Sequence, residues 1–157
     1  MPLEFIPEIN NPLPRNSFWG IKEKPMPHSY NRIWIHAIWS TKNKRKIIDG
    51  TLEPILYDFL KNQLKELGCP VRIINGMPEH IHCLFLQNPQ KTITEIIKQI
   101  KGSSSRFINQ NNFLPHKFEW QIGYSAFSVS SQACDIVYKY ISNQKDHHKK
   151  QTFPDEY

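Results

Sequence analysis

The chain has 157 residues, a length that suits one domain able to bury a core without disulfide or metal staples. Apolar residues make up 39% of it and the formal charge is +6, which excludes a disordered polyelectrolyte and points to a polyanionic partner. Three scattered cysteines (Cys69, Cys83 and Cys134) exclude a disulfide framework or zinc knuckle, and with no apolar run reading as a leader or membrane span, a cytoplasmic protein without membrane attachment is expected.

Residues 1–29 hold six of the twelve prolines and no sustained periodicity, so they read as a proline-rich N-terminal arm ahead of one domain over 30–157. Alternation and Trp/Ile content predict a first strand from Arg32 to Ser40, followed by the basic run Lys42, Lys44, Arg45 and Lys46. Leu52, Ile55, Leu56, Phe59, Leu60, Leu64 and Leu67 fall at helical spacing, and Gly68 supplies a stop. A second strand is expected from Val71 to Gly76, turning through Met77-Pro78-Glu79 into a third that carries His80 and His82. The next helix starts at Thr92 or Thr94, presents Ile93, Ile96, Ile97 and Ile100 on one side, and is expected to break near Gly102. Phe118 to Ser130 reads as two short strands around Gly123, and a last helix runs from about Gln132 to Lys149.

Strand, helix, strand, strand, helix, strand is the split β-α-β order of ferredoxin-like (RRM-like) domains. The expected class is therefore α+β: an antiparallel sheet with helices packed on one face, plus an appended C-terminal helix.

The third strand and the last helix carry the chemistry. Successive side chains of a strand alternate between faces, so His80 and His82 share one face, about 6–7 Å apart along the strand. Two neutral imidazoles so placed can hold a divalent cation; the plain alternative is two polar residues at the start of a strand. On the last helix Tyr140 and Gln144 are four apart and point the same way, whereas Tyr138 points away. Tyr140 also fits an apolar stripe with Val137 and Ile141, but Gln144 breaks that stripe with a carbonyl oxygen able to complete a metal site. Two imidazoles and one oxygen suit Mg²⁺ or Mn²⁺. His36, among large apolar residues of the first strand, reads as a satisfied sheet histidine, not a further ligand.

His80-Ile81-His82 resembles the HUH signature, a hydrophobic residue between two metal-binding histidines. Tyr140-Ile141-Ser142-Asn143-Gln144 resembles the nucleophile helix of the same family, and residues 123–130 resemble the segment before it. Together these motifs, in order over roughly residues 30–156, are similar to the single-tyrosine HUH transposases of bacterial insertion sequences and their repeat-associated relatives. The resemblance implies nicking and strand transfer of single-stranded, hairpin-containing DNA through a 5′-phosphotyrosine. It makes Tyr140 the nucleophile and gives the metal to His80, His82 and Gln144. It also implies a homodimer in many members, with single-chain action in the repeat-associated ones.

Lys42, Lys44, Arg45 and Lys46, and separately Lys98, Lys101 and Arg106, are candidate phosphate contacts; taken singly, each cluster also reads as a solvated surface. His147-His148-Lys149-Lys150 resembles the family's helix end, suited to backbone contact or simple solvation. Two other functions fit parts of the sequence. A non-catalytic or domesticated single-stranded nucleic-acid binder would use the same sheet to stack bases, but needs neither the histidine pair nor Tyr140 over Gln144. A metal hydrolase would need an acidic general base, and none is evident.

Overall fold

The computed structural model describes residues 30–146; the proline-rich arm and the segment from His147 to Tyr157 lie outside them. The elements are β1 (Trp34–Ser40), a short 3₁₀ turn (Lys42–Lys44), α1 (Leu52–Glu66), β2 (Val71–Met77), β3 (His80–Leu86), α2 (Ile93–Gln110), β4 (Ser125–Val129) and α3 (Cys134–Ser142). The four strands form one sheet in the order β2-β3-β1-β4, and every neighbouring pair is antiparallel. The fold is thus α+β, as expected.

Strand alternation decides what each face of the sheet meets. Ile35, Ala37 and Trp39 of β1 and Ile81, Cys83 and Phe85 of β3 join one core cluster with Leu56, Leu60 and Leu64 of α1 and Ile96, Ile97 and Ile100 of α2. Burial of each such leucine, isoleucine or phenylalanine contributes about 1.5–3 kcal/mol. The intervening residues point to the other face: His36 and Ile38 from β1, His80 and His82 from β3, Asn75 from β2. Helix α3 lies over that face, against β2 and β3. The three cysteines are buried and free, and burial pushes the Cys83 thiol pKa up.

Local chemistry sets the helix limits. Asp49 Oδ1 accepts from the Thr51 and Leu52 amides at 3.0 and 2.8 Å and so caps α1, whose Pro54 falls in the tolerant first turn. Gly68, at φ +72°, gives the left-handed stop. Thr92 and Glu95 form a reciprocal capping box at the start of α2. That helix then runs unbroken through Gly102, contrary to the sequence expectation, because Ile100, Ser104 and Ile108 stay buried on either side. Residues 118–130 yield one strand, not two: Trp120 makes only an isolated bridge to Thr41. The last helix is interrupted by a turn at Asn143, after which residues 144–146 are helical again; the rest of the expected run to Lys149 lies outside the described residues.

The turn that delivers the histidines is packed to the backbone. Gly76 pairs with Ile81, and a Cβ there would stand 2.2 Å from the His80 carbonyl oxygen. Gly76→Ala must therefore displace β3 at His80. The expected loss is on the order of 1–3 kcal/mol, read as a lowered denaturation midpoint. A midpoint equal to wild type would show that the turn yields without cost.

Candidate active site

His80 and His82 share the face under α3, with ring centroids 5.2 Å apart and planes at 69°. His82 is fully buried; His80 is more accessible, at 12% side-chain exposure. Each ring is held from behind at Nδ1. Glu79 Oε1 lies 3.2 Å from His80 Nδ1, and His36 Nε2 lies 2.9 Å from His82 Nδ1. A bond at Nδ1 directs the ligating role of an imidazole to Nε2.

The nucleophile candidate lies beside them. The Tyr140 ring stands edge-on to His82 at 5.8 Å and to His36 at 6.1 Å. Tyr138 faces elsewhere, under the Arg72 guanidinium at 5.6 Å. Arg72 also pairs with Asp135 in the first turn of α3. At the far end of the helix, Asn75 Nδ2 donates to the Ile141 and Ser142 carbonyls at 2.8 and 3.2 Å. Because Asn75 is registered with His82, this bond ties the end of α3 to the histidine strand. Glu79, Arg72 and Asn75 escape a sequence reading, since their partners come from the fold. Only the placement of Glu79 directly before His80 gives any signal.

Gln144 follows that tie, after the turn at Asn143, and is 1% exposed. Its neighbour Lys145 donates to both carboxylate oxygens of Glu53 in the first turn of α1, at 2.6 and 2.9 Å. The start of α1 lies at the His80 end of the sheet, because Ile47 and Ile48, shortly before α1, donate to Pro78 O at 3.0 and 2.9 Å. Gln144 is therefore drawn inward at that end. Among the described residues no three His, Cys, Asp or Glu side chains are grouped so as to hold a metal ion.

The basic run adjoins the same turn. Thr41 N donates to Glu79 O at 2.8 Å, and Thr41 Oγ1 lies 2.6 Å from Arg45 O. Residues 42–46 are all exposed, and Asn43 and Lys44 adopt left-handed φ of 58° and 51°, a conformation that costs a lysine about 1–2 kcal/mol. Lys44 borders a cleft of about 540 Å³ walled by Ile38, Ser40, Ile122, Tyr124 and Ser125. Ser40 and Ile38 pair with His80 and His82, so this cleft opens one strand away from the histidines. Lys42 is partly neutralised by Glu119, 3.1 Å away. Arg45 and Lys46 complete the exposed run.

The second basic cluster is not brought to the histidines. Lys98, Lys101 and Arg106 belong to α2, which packs on the opposite face of the sheet. Lys98 and Arg106 are exposed there. Lys101 is half-buried, and Nζ donates to Gln121 O at 2.8 Å and also to Gly123 O, so it shapes the loop before β4. Burial lowers its pKa. His147, His148, Lys149 and Lys150 lie outside the described residues. No described helix is long and apolar enough to cross a membrane.

A family profile described as "Transposase IS200 like" matches residues 29–144. The ISDra2 transposase TnpA of Deinococcus radiodurans is 28% identical over 116 residues, covering 71% of this chain and 83% of that protein. A crystal structure at 1.90 Å of a candidate transposase from D. radiodurans matches with a TM-score of 0.60 at 26% identity, over 78% of this chain and 97% of that one. The structure of a REP-associated tyrosine transposase bound to a REP hairpin matches with a TM-score of 0.58, over 77% of this chain and 72% of that one; at 14% identity this is a likeness of fold.

Proposed function

The chain belongs to the IS200-like transposase family, and from that premise we propose that it nicks and rejoins single-stranded DNA through a 5′-phosphotyrosine intermediate. Tyr140 is the nucleophile in this reading, and His80, His82 and Gln144 hold a divalent cation, Mg²⁺ or Mn²⁺. The observation that carries it is the edge-on contact of Tyr140 with His82 at 5.8 Å, while Tyr138 turns away to Arg72. The strand order β2-β3-β1-β4 supports a ferredoxin-like body to which α3 adds the nucleophile.

The donor set of this reading fits the cation: two imidazoles backed at Nδ1, and the buried Gln144, whose amide oxygen is a suitable third donor for a hard-to-borderline ion. When bound, such an ion supplies positive charge where the phosphate oxygens gain negative charge. The residues do the rest. Tyr140 Oη attacks phosphorus, the bond from phosphorus to the 3′ oxygen breaks, and the phenolic proton ends on the released 3′-hydroxyl. The 5′ phosphate remains on Tyr140. A second 3′-hydroxyl reverses the attack and joins new ends without ATP, because the phosphodiester energy is kept in the tyrosyl link. A phenol with a pKa of about 10 needs a base or a nearby charge to react at neutral pH. Asn75 and Arg72 hold the helix that aims Tyr140.

The partner in this reading is single-stranded DNA with a hairpin; a REP-associated relative is bound to a REP hairpin. Tyr140 lies beside His82 of its own chain, which supports action in cis. Single-stranded oligonucleotides from the DNA flanking the gene, incubated with Mn²⁺ and protein, separate the three functions on a denaturing gel. A transposase gives a covalent protein–DNA band, a hydrolase gives cut DNA without one, and a binder gives neither.

The run at 44–46 is assigned to the DNA backbone. Neutralising Lys44, Arg45 and Lys46 together should weaken binding across sequences and reduce the slope of log affinity against log salt by roughly 2, at about 0.7 per lost contact for single strands. Nicking at saturating DNA should change little. An unchanged salt slope would move the DNA path away from this run, with Lys98 and Arg106 the next residues to neutralise.

A further inference from the structure

The geometry points to His36 as a positioning residue that fixes the tautomer of His82; this inference rests on the proposed metal role of His82. His36 Nε2 and His82 Nδ1 lie 2.9 Å apart and the two rings are nearly parallel, with centroids at 5.2 Å and planes at 23°. His36 is 9% exposed and His82 is 0% exposed, so water does not compete freely for this bond. The sheet register creates the contact. Ile38 of β1 pairs with His82 of β3, and His36, two residues before Ile38, is the diagonal neighbour on the same face.

Two neutral imidazoles share one proton across that gap, and its side decides what His82 can do. With the proton on His82 Nδ1, donated to His36 Nε2, the Nε2 lone pair of His82 faces outward and can ligate a cation. With the proton on His36 Nε2, His82 must carry its own proton on Nε2 and has no lone pair there. A ligand role for His82 therefore requires His36 to be the acceptor, protonated at its own Nδ1. His36 here does for His82 what the Glu79 carboxylate does for His80, using a neutral ring in place of a charge. Its edge contact with Tyr140 at 6.1 Å puts this acceptor beside the nucleophile ring.

The test reads the proton directly. Histidine-selective ¹⁵N NMR of the metal-free wild type at pH 8, above the ordinary histidine range, should show His82 protonated at Nδ1 and bare at Nε2. Mn²⁺ titrations followed by electron paramagnetic resonance should then show an affinity about 10–100-fold lower for His36→Phe, which keeps a ring but removes the acceptor. His36→Gln, whose amide oxygen can accept the same proton, should bind within a few-fold of wild type. A purely structural role for His36 would lower the melting temperature of His36→Phe without moving either the tautomer or the affinity, and that result would overturn the inference. So would His82 protonated at Nε2 in the wild type, a measurement that needs no variant to fold. Should the wild type bind no Mn²⁺ while His82 is protonated at Nδ1, the proton assignment stands and the proposed metal site fails.

Discussion

Tyr140→Phe is expected to abolish covalent attachment to DNA and to lower nicking by at least about 10³-fold, since a lost nucleophile removes the step itself and not merely part of its stabilisation. Binding should stay close to wild type. Phenylalanine keeps the ring that meets His82 at 5.8 Å and His36 at 6.1 Å, so the packing of α3 on the sheet is preserved and only the hydroxyl is lost. Tyr138→Phe is the matched control. That ring lies under Arg72, which is itself held by Asp135, and loss of its hydroxyl should leave nicking within a few-fold. An inactive Tyr138 variant beside an active Tyr140 variant would mean that α3 is rotated from its present phase when DNA binds.

His80→Ala should lower nicking on the order of 10²-fold or more at physiological Mg²⁺, with partial recovery as Mn²⁺ is raised to millimolar levels. His80 is the more accessible of the pair, so its removal perturbs the core less than removal of the fully buried His82. The cost to folding comes from Glu79, whose carboxylate loses the His80 Nδ1 contact at 3.2 Å and keeps only slight exposure. His80→Gln offers that carboxylate an amide donor and should restore stability without restoring Mg²⁺-dependent nicking. Equal nicking by wild type and both variants would remove His80 from the chemistry.

Much of the body was legible in the residues because its signals are local. The leucines of α1, the alternation of β3 and the glycine after Leu67 each mark a face or an end without help from distant segments. The segment 118–124 was not legible, and the cause is specific. The Phe118 amide donates to Asn109 Oδ1 at 2.8 Å, and the Phe118 carbonyl accepts from Asn109 Nδ2 at 2.9 Å and Ser105 Oγ at 3.0 Å. Lys101 takes the carbonyls of Gln121 and Gly123. Side chains of α2 thus satisfy backbone groups that the aromatic pattern would assign to a strand ladder. Ser104 likewise turns inward, accepting from Trp120 Nε1 at 3.0 Å, which anchors the helix through Gly102.

The candidate site divides in the same way. His80 and His82 were readable as a pair, because period two alone puts them on one face. Tyr140 was separable from Tyr138 by helical phase. What alternation cannot give is the strand register, and it is register that sets His36 diagonally against His82 and Asn75 opposite it. The two basic clusters looked alike as sequence. Hydrogen bonds from Thr41, Ile47 and Ile48 to the turn at Pro78 and Glu79 bring one beside the histidines, while α2 carries the other to the far face.

The most direct measurement is the chemical identity of the protein–DNA adduct. A single-stranded substrate labelled separately at its 5′ and 3′ ends is nicked with Mn²⁺, the protein is digested, and the DNA-bearing peptide is sequenced by mass spectrometry. The label 3′ of the nick should travel with the protein, the label 5′ of the nick should be released on a fragment ending in a hydroxyl, and the modified residue should be Tyr140. An adduct that carries the 5′ label, one mapped to a residue other than Tyr140, or nicked DNA with no adduct at all would contradict the account.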